Sequence, residues 1–472
     1  MRFGGGAGQT FLSPVVLLAI LVAGIFICFS SRRKALVAFL AAAILIPADQ
    51  VLLLGGLHFP MLRVLALLGL VRVLRGKFAK QQPIFSGGMN NIDRAFIALS
   101  LFLLIDGMLL WQVWAELVFQ LGNMLTAFGC YFLLRFLVRD DEDVKHAIRA
   151  LAGVAAVVAL IMAYEEFTGV NLLYSTLGGA RAAILGSAII RDGHLRAAGP
   201  FAHPILGGTF GGILLPFFIG LWWKEKKDRK YAGLGIISST VISFSASSST
   251  ALFGYIGGIV ALCFWPLRRR MRIIRWSIVG VLVSLHLYMK SPVWHLISDI
   301  DLTGGSSSYH RYQLINQCVL HFWDWVLVGT KNYETWGWDM WDLCNQYAVY
   351  ADQSGLIPLL CFVAMIVLGF SYLGKARRST RDRKQQWFIW ALCAALFANV
   401  VAFFGVSYFD QTIVAWYALL AIISTTVTSV RRAASDPIQP KAKAEELTVP
   451  LAGDPEEVEV PSFAGSHKLL TL

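Results

Sequence analysis

Residues 201–230, FAHPILGGTFGGILLPFFIGLWWKEKKDRK, decide the class of this chain. An apolar run from Phe201 to Trp223 stops at five cations between Lys224 and Lys230. Coiled as a helix, a run of that length crosses a hydrocarbon core of about 30 Å, where every backbone polar group must be satisfied within the chain. The same alternation recurs in both directions. Most of the 41 Lys and Arg residues fall in short clusters: Arg32-Arg33-Lys34, Arg72 to Arg94, Arg139 to Arg149, Lys224 to Lys230, Arg268 to Arg275, Lys375 to Lys384 and Arg431-Arg432. Between them the chain is apolar. With 57% hydrophobic and 15% charged residues and a mean hydropathy of +0.62, it is far from the roughly 25% charge of soluble domains.

The basic clusters are therefore read as cytoplasmic loops. The net charge of +12 is topology signal on this reading, and no nucleic-acid partner is expected. The predicted spans are 11–29, 35–54, 61–74, 95–111, 121–138, 147–164, 201–223, 231–246, 250–267, 276–289, 355–373, 387–406 and 411–430. That is an all-α polytopic membrane protein of about 13 spans, within a range of 12–14, with its N-terminus outside and its C-terminus inside. Pro47 and Pro60 interrupt the second and third intervals. No cleavable signal peptide is expected, because Met1–Thr10 lacks a basic opening and a small-residue cleavage site. Residues 1–430 form the transmembrane domain. Residues 431–472, rich in Pro, Ala, Glu and Lys, read as a disordered cytoplasmic tail. The seven Cys show no CxxC spacing and suggest no metal site.

Two outer segments are long, Glu165–Pro200 and Lys290–Asp352. The second holds Trp294, Trp323, Trp325, Trp336, Trp338 and Trp341, a density that suits either the lipid headgroup level or stacking on sugar rings. It also contains a predicted helix from Tyr309 to Val328, capped by Ser306-Ser307-Ser308. Its apolar stripe is Leu314, Ile315, Cys318, Val319, Phe322, Trp325 and Val326. Arg311 falls on that stripe, and His310 on the neighbouring polar face. The two outer Cys residues, Cys318 and Cys344, lie where a disulfide is permitted.

Few cations are left outside: Arg2, Arg181, Arg191, Arg196, Lys290, Arg311 and Lys331. They break the positive-inside pattern. Arginine offers planar, permanently charged donors that match phosphate oxygens, although pairing with Glu165, Glu166, Asp192 or Asp342 would also hold them. The densest local signal is RDGHLRAAGPFAHPILGG, Arg191 to Gly208. Gly199-Pro200 breaks the chain, and His203-Pro204 opens a helix whose free N–H groups favour an anion beside Arg196. His203 itself reads equally as a structural histidine. Within the spans, Asp106 calls for a partner, with Arg63 as the candidate. Arg135 is expected to snorkel towards the inner surface.

The stretch Arg191 to Gly208 resembles the R-x-x-G-x-F-x-H-P-x-x-x-G signature of the O-antigen ligase and Wzy-type polymerase superfamily. Arg311-Tyr-Gln-Leu followed by Trp325-Val-Leu-Val-Gly329 is similar to that family's R-x-x-L motif in the large periplasmic loop. Asp342-Leu-Cys-Asn-Gln-Tyr347 followed by Gly355-Leu-Ile is similar to its D/H-x-x-N-x-Y and G-L pattern, and Glu165 to Asn171 to its E-x-x-T-G-x-N. The resemblance covers roughly residues 95–430. It implies a GT-C-like helical fold with helices in a large periplasmic loop of a bacterial inner-membrane protein. The implied activity is a glycosyltransferase whose donor is a polyprenyl-diphosphate-linked oligosaccharide and whose acceptor is a glycan or lipid. No metal or cofactor is implied.

On this resemblance Arg196 and Arg311 are diphosphate clamps, with Arg191 as helper. His203, Glu165, Asn345 and Tyr347 are substrate-binding candidates, and His310, Asp342 or Glu165 are candidates to assist the acceptor hydroxyl. Two departures stand out. Cys344 occupies a position where ligases typically have His, and Ser247-Ser248-Ser249-Thr250 lacks the family's usual arginine. Both favour a polymerase of O-antigen or exopolysaccharide units over a ligase. A transporter or flippase of the same lipid-linked material is the alternative from a different class, and a non-catalytic assembly scaffold, beside other polysaccharide-assembly proteins, is a third.

Overall fold

The computed structural model describes residues 10–81, 83–179, 186, 189–191, 193–299 and 308–435. The chain divides after Ala434, and nearly all described elements belong to the first unit. Helices α1 (Pro14–Phe29) and α2 (Arg32–Leu45) lead into a hairpin of β1 (Val51–Leu54) and β2 (Leu57–Pro60). Then follow α3 (Met61–Lys80), α4 (Asn91–Trp111), α5 (Trp114–Leu137), α6 (Asp141–Thr168) and the short α7 (Leu172–Leu177). A second hairpin, β3 (Ile189–Arg191) and β4 (His194–Arg196), precedes α8 (Pro204–Lys224), α9 (Arg229–Ser245), α10 (Ser249–Cys263) and α11 (Met271–Tyr288). The second outer segment holds α12 (Ser308–Leu320), α13 (Phe322–Trp325) and α14 (Gln346–Ser354). The chain closes with α15 (Leu356–Ser379), α16 (Arg383–Ala402) and α17 (Asp410–Ser435).

Among the described residues, eight helices are long and apolar enough to cross a membrane: α4, α5, α6, α8, α11, α15, α16 and α17. Helices α1 and α10 are apolar but shorter. Helix α9 has 17 residues, and α3 carries Arg63, Arg72, Arg75 and Lys77. The second expected span, 35–54, is the clearest departure. Helix α2 stops at Leu45, before Pro47, and the chain turns through Gly55 and Gly56, both at positive φ, into the β1–β2 hairpin. At the other end, α17 runs through Ser435, past the expected boundary at residue 430. The tail from residue 436 lies outside the described residues.

Helix α8 is the packing centre. It is buried on nearly every face, and glycines let its neighbours approach closely. A Cβ at Gly211 would lie 2.8 Å from Ile242 Cγ2 of α9, and one at Gly220 2.6 Å from Ala391 Cβ of α16. At Gly212 it would meet the backbone of α10 itself, 2.9 Å from Tyr255 N and 3.0 Å from Ala251 O.

The basic clusters gather at one end of the bundle. Asp143 near the start of α6 takes Arg32 and Arg33, each at 3.3 Å. Asp141 pairs with Lys224, Glu225 with Lys145, and Asp228 with Arg149. Arg139 donates to Pro83 O at 2.6 Å, and Arg377 to Arg268 O at 3.0 Å. Arg431 lies over the Tyr372 ring, whose hydroxyl accepts from Asn91 N–H at 3.3 Å. Each of the seven clusters thus touches another cluster or a segment beside it. Arg135 does not snorkel. It is fully buried and forks onto Asp93, at 2.9 and 3.0 Å, because Asp93 lies at the capped start of α4 where the guanidinium can reach it. Arg63 does not pair with Asp106 either. It donates to His58 O at 2.8 Å and Thr126 Oγ1 at 3.2 Å.

Replacing Gly212 with Leu puts a side chain against the α10 backbone, which cannot move aside as a flexible side chain can. Overpacking of this kind costs about 1–3 kcal/mol. The variant is expected to melt at lower temperature in detergent than the parent, and an unchanged melting temperature would show that the α8–α10 approach adds nothing to stability.

Candidate functional site

At the end of the bundle away from the basic clusters, a buried carboxylate organises the loop before α8. Glu165, 1% exposed near the end of α6, accepts from Gly199 N–H at 2.8 Å and from Asn171 Nδ2 at 2.9 Å. Asn171 also donates to Gly199 O at 2.8 Å, and its Oδ1 caps α7 by accepting from Leu173 and Tyr174 N–H. Gln411, at the start of α17, donates to Pro200 O at 2.7 Å and to Ile46 O at 3.0 Å. Glu165 is thus a brace for the Arg196 loop, its described bonds all going to the chain rather than outward.

The braced loop delivers Arg196 at the end of β4. Its side chain is buried and its Nε donates to Ala246 O at 3.2 Å, while the next residue, Ala197, donates its N–H to Ser245 O at 3.0 Å. Arg311, in the first turns of α12, is also buried and donates to Thr250 Oγ1 at 2.5 Å. Arg311 therefore meets the first turn of α10, and Arg196 meets the short turn just before it that joins α9 to α10. Ser247 in that turn holds φ +41, unusual without glycine. Gly405 packs against Thr250 and Arg311, and a Cβ there would lie 2.7 Å from Thr250 Cγ2. The first turns of α8 and α10 also touch, through Gly208 against Ala251. Two helix starts, each with a favourable potential for anions, thus flank the arginines. Glu166 sits beside them, held by Ser245 Oγ at 2.6 Å.

The remaining candidates divide. His203 caps α8, its Nδ1 accepting from Ile205 N–H at 3.2 Å. Asn345 caps α14 through Tyr347 and Ala348 N–H and donates to Phe404 O at 3.4 Å. The Tyr347 hydroxyl donates to Val400 O at 3.3 Å. All three hold backbone in place around the two arginines. His310 and Asp342 meet each other, His310 Nε2 lying 2.9 Å from Asp342 O. The side chain of Arg191 and all of Arg181 and Asp192 lie outside the described residues.

Helix α12 is shorter than expected, ending at Leu320 with a break at His321 before α13. Its proposed Ser306-Ser307 cap lies outside the described residues, and Ser308 is already helical. Arg311 and Leu314 do share the buried face, but His310 is buried there too and Val319 is half exposed. Cys318 and Cys344 are free thiols. The tryptophans separate into two sets. Trp294, Trp325 and Trp336 are engaged with Asn316, Cys318 and His321, whereas Trp323, Trp338 and Trp341 are 84%, 81% and 66% exposed.

Sequence reasoning missed Thr250, Gln411 and the Ala246 carbonyl. A lone hydroxyl, a lone amide and a main-chain oxygen leave no pattern to read. No protein-family model matches the chain, and no curated protein matches it.

Asp352, in the last turn of α14, is completely buried beside the Cys318 thiol, and burial pushes its carboxyl up to about 7 from 3.8. A raised acid binds more protons folded than unfolded, so this group makes stability fall as pH rises from about 4 to 7. At about 1.4 kcal/mol per unit the full effect is on the order of 4 kcal/mol. Asp352→Asn is expected to flatten that decline in detergent melting curves. An identical pH profile in both proteins would show that Asp352 is not the source.

Proposed function

We propose that this protein is an integral membrane glycosyltransferase of the O-antigen ligase and Wzy-type polymerase kind, polymerising polyprenyl-diphosphate-linked glycan units of O-antigen or exopolysaccharide at the outer face of a bacterial inner membrane. The reading takes the eight long apolar helices, the two shorter ones and α2, α3 and α9 together as the spans of a GT-C-like fold. One observation carries it: Arg196 and Arg311, far apart in sequence, both bond at the junction of α9 and α10, Arg196 to the connecting turn and Arg311 to the first turn of α10, at the end away from the basic clusters.

In the proposed reaction the acceptor hydroxyl forms a bond to the anomeric carbon as the bond from that carbon to the lipid diphosphate breaks. The hydroxyl proton leaves to a base, and the diphosphate departs with the electron pair. Negative charge grows on the leaving group, where preplaced guanidinium groups and helix starts stabilise it most in a region of low dielectric. A cavity of about 400 Å³ between α3, α4, α5 and the start of α17, lined mainly by apolar side chains such as Phe96, Leu103 and Phe403, supplies a surface suited to a polyprenyl chain. The exposed Trp338 and Trp341 suit sugar stacking or the headgroup layer.

Arg196→Ala and Arg311→Ala are each expected to reduce polymer formation about 100-fold or more, the scale of losing one preorganised charge donor, with membrane insertion retained. Arg→Lys is expected to fail as well, because a single ammonium cannot reproduce the fork. Normal polymer from both alanine variants would remove the clamp. Incubation with a lipid-linked oligosaccharide, alone or with a separate acceptor lipid, sorts the classes: growth of the donor glycan marks a polymerase, transfer only to the acceptor a ligase, and movement without a new glycosidic bond a transporter.

A further inference from the structure

We propose that His310, Asp342 and Cys344 form a binding site for a zinc ion, with the imidazole Nδ1, a carboxylate oxygen and the thiolate as its three protein ligands. The candidate atoms of these residues all lie within 4.8 Å of one another. Ligand atoms of a tetrahedral zinc site sit roughly 3.3–3.8 Å apart, so side-chain shifts of about 1 Å close the set.

The way each group arrives there argues for a ligand. His310 is 8% exposed. Its Nε2 lies 2.9 Å from Asp342 O, and a carbonyl oxygen only accepts, so Nε2 carries the proton and Nδ1 holds a lone pair. That Nδ1 is buried and has no hydrogen-bond partner. An unsatisfied buried polar atom costs about 1–3 kcal/mol, and a bound cation removes the cost. The geometry also matches the usual arrangement in which a ligating histidine donates its other ring N–H to a carboxylate or main-chain carbonyl. Here that carbonyl belongs to a second ligand residue, which ties the ring and the loop together.

Asp342 and Cys344 come from one tightly turned segment. Asp339, at φ +62, makes a turn closed by the Asp342 N–H on Asp339 O at 3.2 Å, and a tighter turn follows at once, the Cys344 N–H donating to Asp342 O at 2.9 Å. This tight turn brings Asp342 and Cys344 close to each other and to His310, while Leu343 is buried with Leu314, Tyr333 and Met340 and Cys344 packs at the edge of the same cluster. The donor set decides the metal class. One nitrogen, one sulfur and one oxygen suit zinc and exclude magnesium and calcium, which take oxygen. Three protein ligands beside an exposed carboxylate leave the fourth position to water or to an oxygen from outside, the pattern of an open rather than a closed site. The ion would lie next to Arg311, at the rim of the two-arginine site.

This inference stands independently of the glycosyltransferase reading, because its readouts are metal content and thiol protection. The full chain, purified in detergent and stripped with a chelator, is reloaded with zinc chloride and passed through a desalting column. One zinc per chain is expected by elemental mass spectrometry. His310→Ala and Cys344→Ser are each expected to retain less than a tenth of it. A second measurement needs no variant. Maleimide labelling, quantified by peptide mass spectrometry, is expected to slow at least tenfold at Cys344 when equimolar zinc is present, while the exposed Cys263 labels at the same rate. Full zinc retention by both variants, negligible zinc in the parent, or an unchanged Cys344 labelling rate overturns the site.

Discussion

The end of the bundle away from the basic clusters rests on one buried carboxylate. Glu165 stands at the end of a helix that crosses the bundle, and its oxygen draws in the backbone of Gly199 and the amide of Asn171. Hydrogen bonds to a charged acceptor are worth about 1.5–3 kcal/mol each, enough to fix a loop that has only a three-residue hairpin and a proline of its own. The loop can then close in only one way, with Gly199 at φ +59 and Met162 against it. Arg196 follows within three residues, so its position is inherited from α6 and not chosen by its own side-chain rotamers. Gln411 repeats the logic from the last helix, joining Pro200 to Ile46.

The two ends of the bundle treat cations differently. At one end the lysines and arginines arrive with acids. Asp140, Asp141, Glu142 and Asp143 open α6, cap it and serve its dipole, and the same carboxylates take Arg32, Arg33, Lys145 and Lys224. The basic clusters thus act both as a charge pattern and as a set of inter-helix ties. At the other end the described bonds of Arg196 and Arg311 run to a main-chain carbonyl and a hydroxyl of one turn.

The helices were legible because hydrocarbon length and charge spacing are coarse, additive signals: every predicted interval contains a helix. The failure at 35–54 came from treating an apolar composition as a helix across Pro47 and Gly55-Gly56, where backbone chemistry overrides hydropathy. The Arg135 reading failed because a sequence does not show that Asp93, on another helix, lies within reach. Arg196 and Arg311 stood out in the sequence as cations away from the basic clusters, and the structure brings both to the α9–α10 junction. The capping roles of His203 and Asn345 were half legible, since both precede helices. The meeting of His310 with Asp342 and Cys344 was not, because residues separated by more than thirty positions share no local period, and the scattered cysteines showed none of the spacings by which metal sites announce themselves.

The turn from Ser245 to Thr250 carries the remaining argument. Positions fixed by main-chain bonds need little reorganisation when charge develops nearby, and that preorganisation is what makes an electrostatic site effective. Arg196 is set against the start of the turn and Arg311 against its end, so the distance between the two guanidinium groups follows from the turn's conformation. Ser247 holds that conformation at φ +41, a region that costs a residue with a side chain about 1–3 kcal/mol and persists only when surrounding contacts impose it. The contacts that impose it are the arginines' own, together with Ser245 on Glu166 and Thr250 against Gly405. Strain and charge placement are therefore coupled through those contacts: a glycine at 247 would hold the same φ without the cost, and the spacing of the cations would still follow from the bonds around the turn.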